Sequence, residues 1–530
     1  MCCEIPAGSK QEPMEMSKHF YVTTAIDYVN SKPHVGHAYE KIGADIIARV
    51  MRMRGLDVIF QMGTDEHSTN VARKAEELGM EPPQFCDEMV DKFIAVWESL
   101  ELSYDVFIRT TSQRHEATVR DLLRRIYEKD DIYTGKYEGF YCASCERFYQ
   151  KKDLAESSGE NHCPVHDIAC EWLEEENYFF RLSRYRDPLL EHIEKNPQFI
   201  QPEIRRNEIL NVLKDGLEDI SISRSGSQWG VPLPWDESAV TYVWFDALIN
   251  YVSAVGYSDD EKAFAKFWPA KLQIIGKDIT RFHCIYWPAM LLSAGLPLPE
   301  TIFGHGFVHF RGEKMSKTRG TVIDPMEIVN QHGADALRYF LAKEIHWGQD
   351  GDFTLERFVD IYNADLANNL GNLINRSLTM IRKYCDGKVE IPENPSAGEN
   401  AVFDVSLPEK YLDSLIGWRL HEMPDRLIEM VDGVNLYIDK QQPWALNRDP
   451  DKRETLLEVM FNIAEALRWI AVCAYPIVPG AAAKIWAQMN LPGSIDAARF
   501  DDLVWGNFPQ GVVVGKPEPI FPRIETAKEN

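Results

Sequence analysis

Two short motifs far apart in the chain carry the residues with the clearest chemical potential. Residues 33–37 (PHVGH) place two histidines around a glycine, and residues 313–318 (EKMSKT) place two lysines around a serine. A strand-to-helix turn offers backbone N–H groups and a dipole end to phosphate, while loop lysines can close on a pyrophosphate leaving group. We therefore predict chemistry at the α-phosphate of a nucleoside triphosphate, with these catalytic candidates: His34, His37, Lys314 and Lys317.

Each motif alone has an ordinary structural explanation. The first could be a surface turn with incidental histidines, and the second a solvated basic loop. Their occurrence in this order on the two halves of one α/β domain favours the chemical interpretation.

The segments around these motifs predict a doubly wound α/β domain. Residues 20–26 read as a buried strand, 36–54 as a helix with one apolar face, and 57–62 as the next strand. Residues 241–245 and 272–275 predict further strands, each followed by a helical pattern. The fold class is therefore α/β, with a Rossmann-type domain whose second half follows an inserted subdomain.

The C-terminal third predicts an all-α bundle. From about Phe353 an amphipathic stripe begins, and it consists of Phe358, Ile361, Leu366, Leu370, Leu373, Ile374 and Ile381. Further helices are predicted over residues 407–430, 455–473 and 479–489. The tail after Gly511 is predicted to lie along the surface.

A paired cysteine pattern in the insertion predicts a structural zinc site. The C-x2-C and C-x2-H spacings can place three thiolates and one imidazole around Zn²⁺ with no open position. The predicted ligands are Cys142, Cys145, Cys163 and His166. Free buried cysteines are the alternative, and Cys170 and His162 are nearby competitors for ligation.

Composition limits the class of protein. The formal net charge of −25 argues against indiscriminate nucleic-acid binding, although an acidic body can carry a local basic face. The sequence contains no run of eighteen or more apolar residues, so no membrane-spanning helix is predicted. Residues 1–17 resemble neither a secretory signal nor a transit peptide. The scattered single cysteines predict a reducing compartment, and hence a cytoplasmic location.

Further segments make the sequence similar to a known family. These are residues 23–30 (TTAIDYVN), 63–67 (GTDEH), 242–247 (YVWFDA), 275–279 (IGKDI) with Phe282-His283, and 304–306 (GHG). With the two motifs, they resemble the class I aminoacyl-tRNA synthetases, and most closely the methionine-specific branch. The resemblance runs from about Phe20 to Arg523. It implies activation of L-methionine by ATP with Mg²⁺ and transfer of methionine to the 3′ end of tRNA(Met).

The resemblance also implies site residues by position. The methionine pocket would consist of Ile26, Tyr28, Asp65, Trp244, Ala247, Tyr251, Ile279 and His283. Its chemistry suits the ligand, because a carboxylate can hold the α-ammonium and aromatic surface suits a thioether. Tyr28 and His283 are predicted to donate hydrogen bonds to the sulfur.

The ATP contacts implied in the same way are His34, Gly36, His37, Glu40, Gly276, Asp278, His305, Val308, Lys314 and Lys317. The implied anticodon readers are Asn372, Arg376 and Trp444, since unstacked bases can stack on an indole while Asn and Arg read their edges. Taken singly, each of these three residues is an ordinary capping, salt-bridge or core residue.

These assignments give the predicted domain organisation. A disordered lead (1–18) precedes the first half of the catalytic domain (19–139) and the inserted zinc-knuckle subdomain (140–224). The second catalytic half (225–304), a lysine-loop linker (305–352), the helical anticodon-binding domain (353–510) and a tail (511–530) follow.

Some positions depart from the family pattern. Ser68 stands where glycine is usual, Asp27 where a proline or aromatic residue is common, and Thr318 in place of a serine. The chain leaves no room for a large editing domain between the two motifs. We expect no appended C-terminal domain of the kind that some relatives carry, and hence a monomer. The alternatives are another class I synthetase or nucleotidyltransferase of this fold, or a non-catalytic synthetase-like RNA-binding protein.

Overall fold

The computed structural model describes most of the chain. It covers residues 18–142, 147–149, 151–157, 160–164, 168–225, 229–314, 322–393, 395 and 402–525. The predicted disordered lead, except Lys18, therefore lies outside the described residues. The same holds for Cys145, His166, Lys317 and Thr318.

The N-terminal part alternates strands and helices, as predicted. Its elements are β1 (His19–Thr24), β2 (Asp27–Tyr28), α1 (Val35–Met53), β3 (Asp57–Asp65), α2 (Thr69–Glu77), α3 (Pro82–Ser99), β4 (Val106–Arg109) and α4 (Gln113–Glu128). Aromatic and β-branched residues make β1 a buried strand. Helix α1 is buried on almost every side, and Gly55, with φ of 81°, ends it before β3.

The inserted segment is mainly antiparallel sheet. Its elements are β5 (Ile132–Cys142), β6 (Arg147–Tyr149), β7 (Ala155–Ser157), β8 (Glu160–His162), β9 (Glu171–Phe180), α5 (Arg186–Lys195), β10 (Ile200–Gln201), α6 (Glu203–Asp215), β11 (Ile220–Ser221) and β12 (Ser223–Ser225). Strand β9 pairs with β5 along its length, and β11 and β6 complete a four-stranded sheet. Strand β5, which ends at Cys142, begins at Ile132, whereas the sequence predicts that the insertion begins at residue 140.

The α/β pattern resumes after the insertion. Its elements are β13 (Pro232–Leu233), β14 (Asp236–Thr241), α7 (Val243–Ala247), α8 (Asn250–Ser253), α9 (Glu261–Phe267), β15 (Leu272–Gly276), α10 (Trp287–Ala294), β16 (Ile302–His305), β17 (Val308–Phe310), β18 (Glu313–Lys314), α11 (Pro325–His332), α12 (Ala334–Glu344) and β19 (Gly351–Phe353).

One parallel sheet joins the two halves. Its order is β10-β16-β15-β1-β3, with β2 continuing the line of β1 along β3 and β4 on the other edge of β3. Val22 in β1 lies opposite both Leu272 and Phe60, so β1 and β15 meet where the two halves join. The carboxyl ends of these strands form one edge, where ligands of open α/β sheets bind.

The C-terminal part is the predicted helical bundle. It comprises α13 (Leu355–Ile361), α14 (Asn372–Cys385), α15 (Leu407–Asp413), α16 (Glu422–Gln441), α17 (Pro443–Leu446), α18 (Arg453–Ala474) and α19 (Pro479–Gln488). A π-helical stretch, Tyr362–Gly371, links α13 to α14. The predicted apolar stripe is buried throughout, and in the tail Phe521 packs edge-on against Tyr362. In the described part of the chain, no helix is both long and apolar enough to cross a membrane.

Two predicted elements are wrong. Residues 242–245 form no strand: β14 ends at Thr241 and helix α7 begins at Val243, because a short buried apolar run suits either element. Residues 407–430 form two helices, not one. Gly417 and Trp418 both adopt left-handed φ, of 72° and 60°, and break the chain between α15 and α16.

A buried arginine ties the sheet domain to the helical bundle. Arg338 of α12 is fully buried, and its Nη2 donates to Asp45 Oδ2 of α1 over 2.6 Å. The same guanidinium donates to the carbonyl of Leu100 after α3 and to those of Pro476 and Ile477 in the turn before α19. One side chain therefore connects α1, α3 and the bundle through α12.

Candidate active site

The histidine motif, residues 33–37, caps helix α1. His34 is the N-cap residue, and its Nδ1 accepts from the backbone N–H of Gly36 over 3.0 Å. Nδ1 of His37 accepts from the backbone N–H of His34 over 3.1 Å. An accepting Nδ1 carries no proton, so each neutral ring has its hydrogen on Nε2. The cap thus fixes the tautomer that can donate to a phosphate oxygen.

A third histidine approaches the same helix from β16. His305 Nε2 lies 2.8 Å from Oε2 of Glu40, and both residues are buried. Burial opposes ionisation of Glu40, but Lys41 and His305 outweigh it and lower the pKa of its carboxyl group. Glu40 is therefore an ionised group one helical turn after Gly36.

The other predicted ATP contacts follow strands at this edge. Gly276 ends β15, and a Cβ there would lie 2.7 Å from Oδ1 of Asp278, so a larger residue would require the Asp278 side chain to move. Val308 is buried in β17. Lys314 ends β18, where its backbone lies opposite His309, whereas Lys317 lies outside the described residues.

All eight predicted methionine contacts line one cavity. Its walls also include Ala25, Leu248 and Asn250, which sequence reasoning did not single out. The ring of Trp244 stacks on Phe282 with centroids 3.9 Å apart and meets Tyr28 edge-on. Asp65, at the end of β3, supplies a buried carboxyl group. The cavity combines aromatic surface with one acidic group.

Hydrogen bonds inside the cavity assign a different role to His283. Nδ1 of His283 lies 3.0 Å from the carbonyl oxygen of Ile279, which can only accept, so Nδ1 donates. Burial lowers the pKa of His283 to about 4, so the ring is neutral and Nε2 accepts. Its partner, 2.7 Å away, is the Tyr251 hydroxyl, which therefore donates. In this arrangement the neutral ring has no second hydrogen, so donation to a ligand sulfur would require the other tautomer, and that role stays a prediction.

The structure also brings together residues at the anticodon-reader positions. Arg376 of α14 lies over the ring of Trp444 at 6.0 Å, and its Nη2 donates to Asp439 over 2.5 Å. Asn372 is exposed one turn before Arg376. Trp444, in α17, is 38% exposed. A guanidinium and an indole thus share one surface of the bundle.

Comparisons with known proteins show the family to which the chain belongs. The family model for class I tRNA synthetases (M) matches residues 20–167 and 155–378. The methionine–tRNA ligase of Caldanaerobacter subterraneus is 43% identical over 97% of this chain and 80% of its own length. That of Nostoc sp. is 43% identical over 96% of this chain and 98% of its own. A crystal structure of Mycobacterium tuberculosis methionyl-tRNA synthetase bound by methionyl-adenylate gives a TM-score of 0.90 at 39% identity, and it covers 95% of this chain and 100% of that one.

The chain belongs to the methionine–tRNA ligase family. Its membership confirms the family resemblance and the α/β fold class. The individual site residues stay predictions, which the cavity and the cap of α1 support.

Behind the cavity lies a buried network without an assigned role in the sequence reasoning. Asp246 of α7 lies 2.8 Å from Nδ1 of His67 and 2.8 Å from Nε2 of His115. Burial opposes its ionisation, but the two histidines lower the pKa of Asp246 to about 2. The acidic and histidine residues within residues 63–67 and 242–247 were a signal for this pairing. The network fixes the helix that presents Trp244 and Ala247.

The described part of the predicted zinc site is a cluster of cysteines, of which Cys142 and Cys163 are buried. Cys142 and Cys163 pack with Tyr149, whose hydroxyl lies 3.6 Å from Sγ of Cys163. Cys170 packs against them, while Cys145 and His166 lie outside the described residues. Within the described residues, no group of three or more ligand side chains is arranged to hold a metal ion. Thiols are nevertheless the donor type that zinc prefers.

Proposed function

We infer that this protein is a methionine–tRNA ligase. It activates L-methionine with ATP to methionyl-adenylate and transfers the methionyl group to the 3′ end of tRNA(Met). The observation that carries this inference is the single cavity lined by all eight predicted methionine contacts. The cavity wall touches the capped helix, because Lys41 of α1 donates to the carbonyl oxygen of Ala25.

In the first step, the methionine carboxylate attacks the α-phosphate of ATP in line, and pyrophosphate leaves. The enzyme contributes positioning and charge stabilisation. Nε2–H groups of His34 and His37 donate to phosphate oxygens at the positive end of α1. Lys314 and Lys317 neutralise the charge that develops on the pyrophosphate. Mg²⁺ enters with ATP as part of the substrate complex.

Methionine is held by both ends in this proposal. Asp65 pairs with the α-ammonium group, and the thioether lies among Trp244, Ile279 and Tyr251. The Tyr251 hydroxyl donates a hydrogen bond to His283, which fixes the orientation of the phenol oxygen. The cavity therefore selects methionine by its shape and by this oriented oxygen. In the second step, a ribose hydroxyl of the tRNA 3′ end attacks the adenylate carbonyl and releases AMP.

We propose that the bundle binds the anticodon through Asn372, Arg376 and Trp444. The guanidinium above the exposed indole supports this assignment, since unpaired bases stack on such surfaces. The overall negative charge restricts RNA binding to local surfaces of this kind.

We propose structural zinc at Cys142, Cys145, Cys163 and His166, where it would hold the ends of β5 and the β8–β9 connection together. Cys142 and Cys163, the two described members, converge in one buried cluster with thiol donors. Elemental analysis should give one zinc per chain, and Cys163→Ser should lose it. A monomeric state and a cytoplasmic location remain predictions.

The test of the function is amino-acid-dependent ATP–pyrophosphate exchange with all twenty amino acids. We expect exchange with methionine alone, and Lys317→Ala should abolish most of it while methionine binding, measured by calorimetry, persists. Exchange with another amino acid would assign the protein to a different synthetase specificity. No exchange with any would support the non-catalytic RNA-binding alternative.

A further inference from the structure

A buried lysine beneath the histidine motif lies between the two substrate sites. Lys41 follows His37 by one helical turn in α1, and only 1% of its side chain is exposed. On one side stands Asp27 of β2, whose chain neighbours Ile26 and Tyr28 line the methionine cavity. On the other side lies Glu40, which reaches His305 at the ATP edge.

All three hydrogens of the Lys41 ammonium group are used across this junction. Nζ donates to the carbonyl oxygen of Ala25 over 2.8 Å, to Asp27 Oδ1 over 2.9 Å and to Glu40 Oε1 over 2.8 Å. Two of these acceptors belong to the segment that forms the methionine cavity wall, and the third belongs to the helix of the ATP site. A single cation therefore joins the methionine wall, which carries Ala25 and Asp27, to the ATP wall, which is the part of α1 that carries Glu40.

We propose that Lys41 is a positioning residue for methionine activation, which holds the methionine wall and the ATP wall in register through Asp27 and Glu40. This inference rests on the proposed function. In-line attack requires the methionine carboxylate and the α-phosphate of ATP to meet at a fixed distance. The methionine wall holds the first group and the ATP wall holds the second.

The electrostatics of the cluster explain why a cation is needed there. Burial raises the pKa of Asp27 to about 6 in spite of Lys41, and Oδ2 of Asp27 is buried without a hydrogen-bond partner among the described residues. Glu40 stays ionised because Lys41 and His305 outweigh its burial and lower its pKa. Without Lys41, the buried carboxyl groups of Asp27 and Glu40 would face each other, and Glu40 would keep only His305 as a partner. Their repulsion would push the two walls apart.

A matched control lies on the same helix. Arg49 forms a similar buried ion pair with Asp45, 2.8 Å away, farther along α1 from the histidine motif. Asp45 keeps Arg338 as a partner when Arg49 is replaced. Arg49→Met therefore removes a buried cation from α1 without touching the two walls.

The experiment measures methionine-dependent ATP–pyrophosphate exchange and thermal stability for four proteins: wild type, Lys41→Met, Asp27→Asn/Lys41→Met and Arg49→Met. Lys41→Met should lower kcat/KM for both ATP and methionine by about 100-fold, the effect of a misplacement near 1 Å. The double variant should regain at least half of the logarithmic loss, because it removes one unpaired carboxylate. Arg49→Met should lower the melting temperature and leave both kcat/KM values within twofold.

Two results would overturn the inference: a Lys41→Met enzyme that resembles Arg49→Met, or a double variant no better than the single one. If Lys41→Met fails to fold, Asp27→Ala decides. It removes only the link to β2, so KM for methionine should rise about tenfold while KM for ATP stays within twofold, and equal values for both would reject the proposal. A wild-type protein without exchange would instead reject the proposed function.

Discussion

Replacing Arg338 by methionine should separate amino-acid activation from tRNA charging. Arg338 is fully buried, and its donors serve Asp45 and three backbone carbonyls in α1, α3 and the bundle. Breaking a buried ion pair costs about 3–5 kcal/mol. Asp45 keeps Arg49 and Ser103 as partners, so we expect the lower end of that range, about 3 kcal/mol.

Hydrogen–deuterium exchange measures this loss locally, which suits a protein whose domains need not unfold together. A local cost of about 3 kcal/mol corresponds to roughly 150-fold faster amide exchange in the turn before α19. Methionine-dependent ATP–pyrophosphate exchange should stay within threefold of wild type, because the cavity and the α1 cap are not touched. The rate of tRNA charging should fall at least tenfold, since the bundle loses its fixed position relative to the active site.

Lys343→Met is the control on the same helix. Lys343 of α12 bridges to Asp425 of α16 across 2.5 Å, but both side chains are partly exposed, so its loss should cost less than about 1 kcal/mol. Arg338→Met amide exchange within threefold of wild type, or equal losses of activation and charging, would refute the interdomain role.

Three further predictions concern the site. Tyr251→Phe should lower kcat/KM for methionine about tenfold with KM for ATP unchanged, because it leaves the buried Nε2 of His283 without its donor. An unchanged kcat/KM for methionine would contradict this role of the Tyr251 hydroxyl. Burial lowers the pKa of His283 to about 4, so the ring stays neutral between about pH 8 and pH 6. KM for methionine should therefore show no His283-dependent change in that range and should rise only at lower pH, as the ring becomes protonated. A rise in KM near pH 6.5 that disappears in His283→Gln would reject this prediction. Arg376→Ala should reduce charging of tRNA(Met) at least tenfold and leave exchange within twofold, whereas a parallel loss of both would place Arg376 in a structural role.

Local sequence determined the elements whose signals lie within a few residues. The strand-turn-helix unit around His34 follows from a β-branched strand, a capping residue and an apolar helix face, and the structure matches it at β1 and α1. The long apolar stripe after Phe353 likewise predicts its own burial. Family motifs placed the methionine contacts, and the structure collects all of them in one cavity.

Tertiary structure decided what depends on partners distant in sequence. Residues 242–245 carry the same apolar pattern in a strand or a helix, and only their packing selects the helix that begins at Val243. The tautomer of His283 likewise depends on the carbonyl of Ile279, which accepts the hydrogen bond of Nδ1 in the folded protein. No sequence motif singles out Lys41 or Arg338. Their burial against Asp27, Glu40 and Asp45 arises because folding brings together charges from separate elements, and the desolvation cost of each is offset only by a partner that the fold supplies.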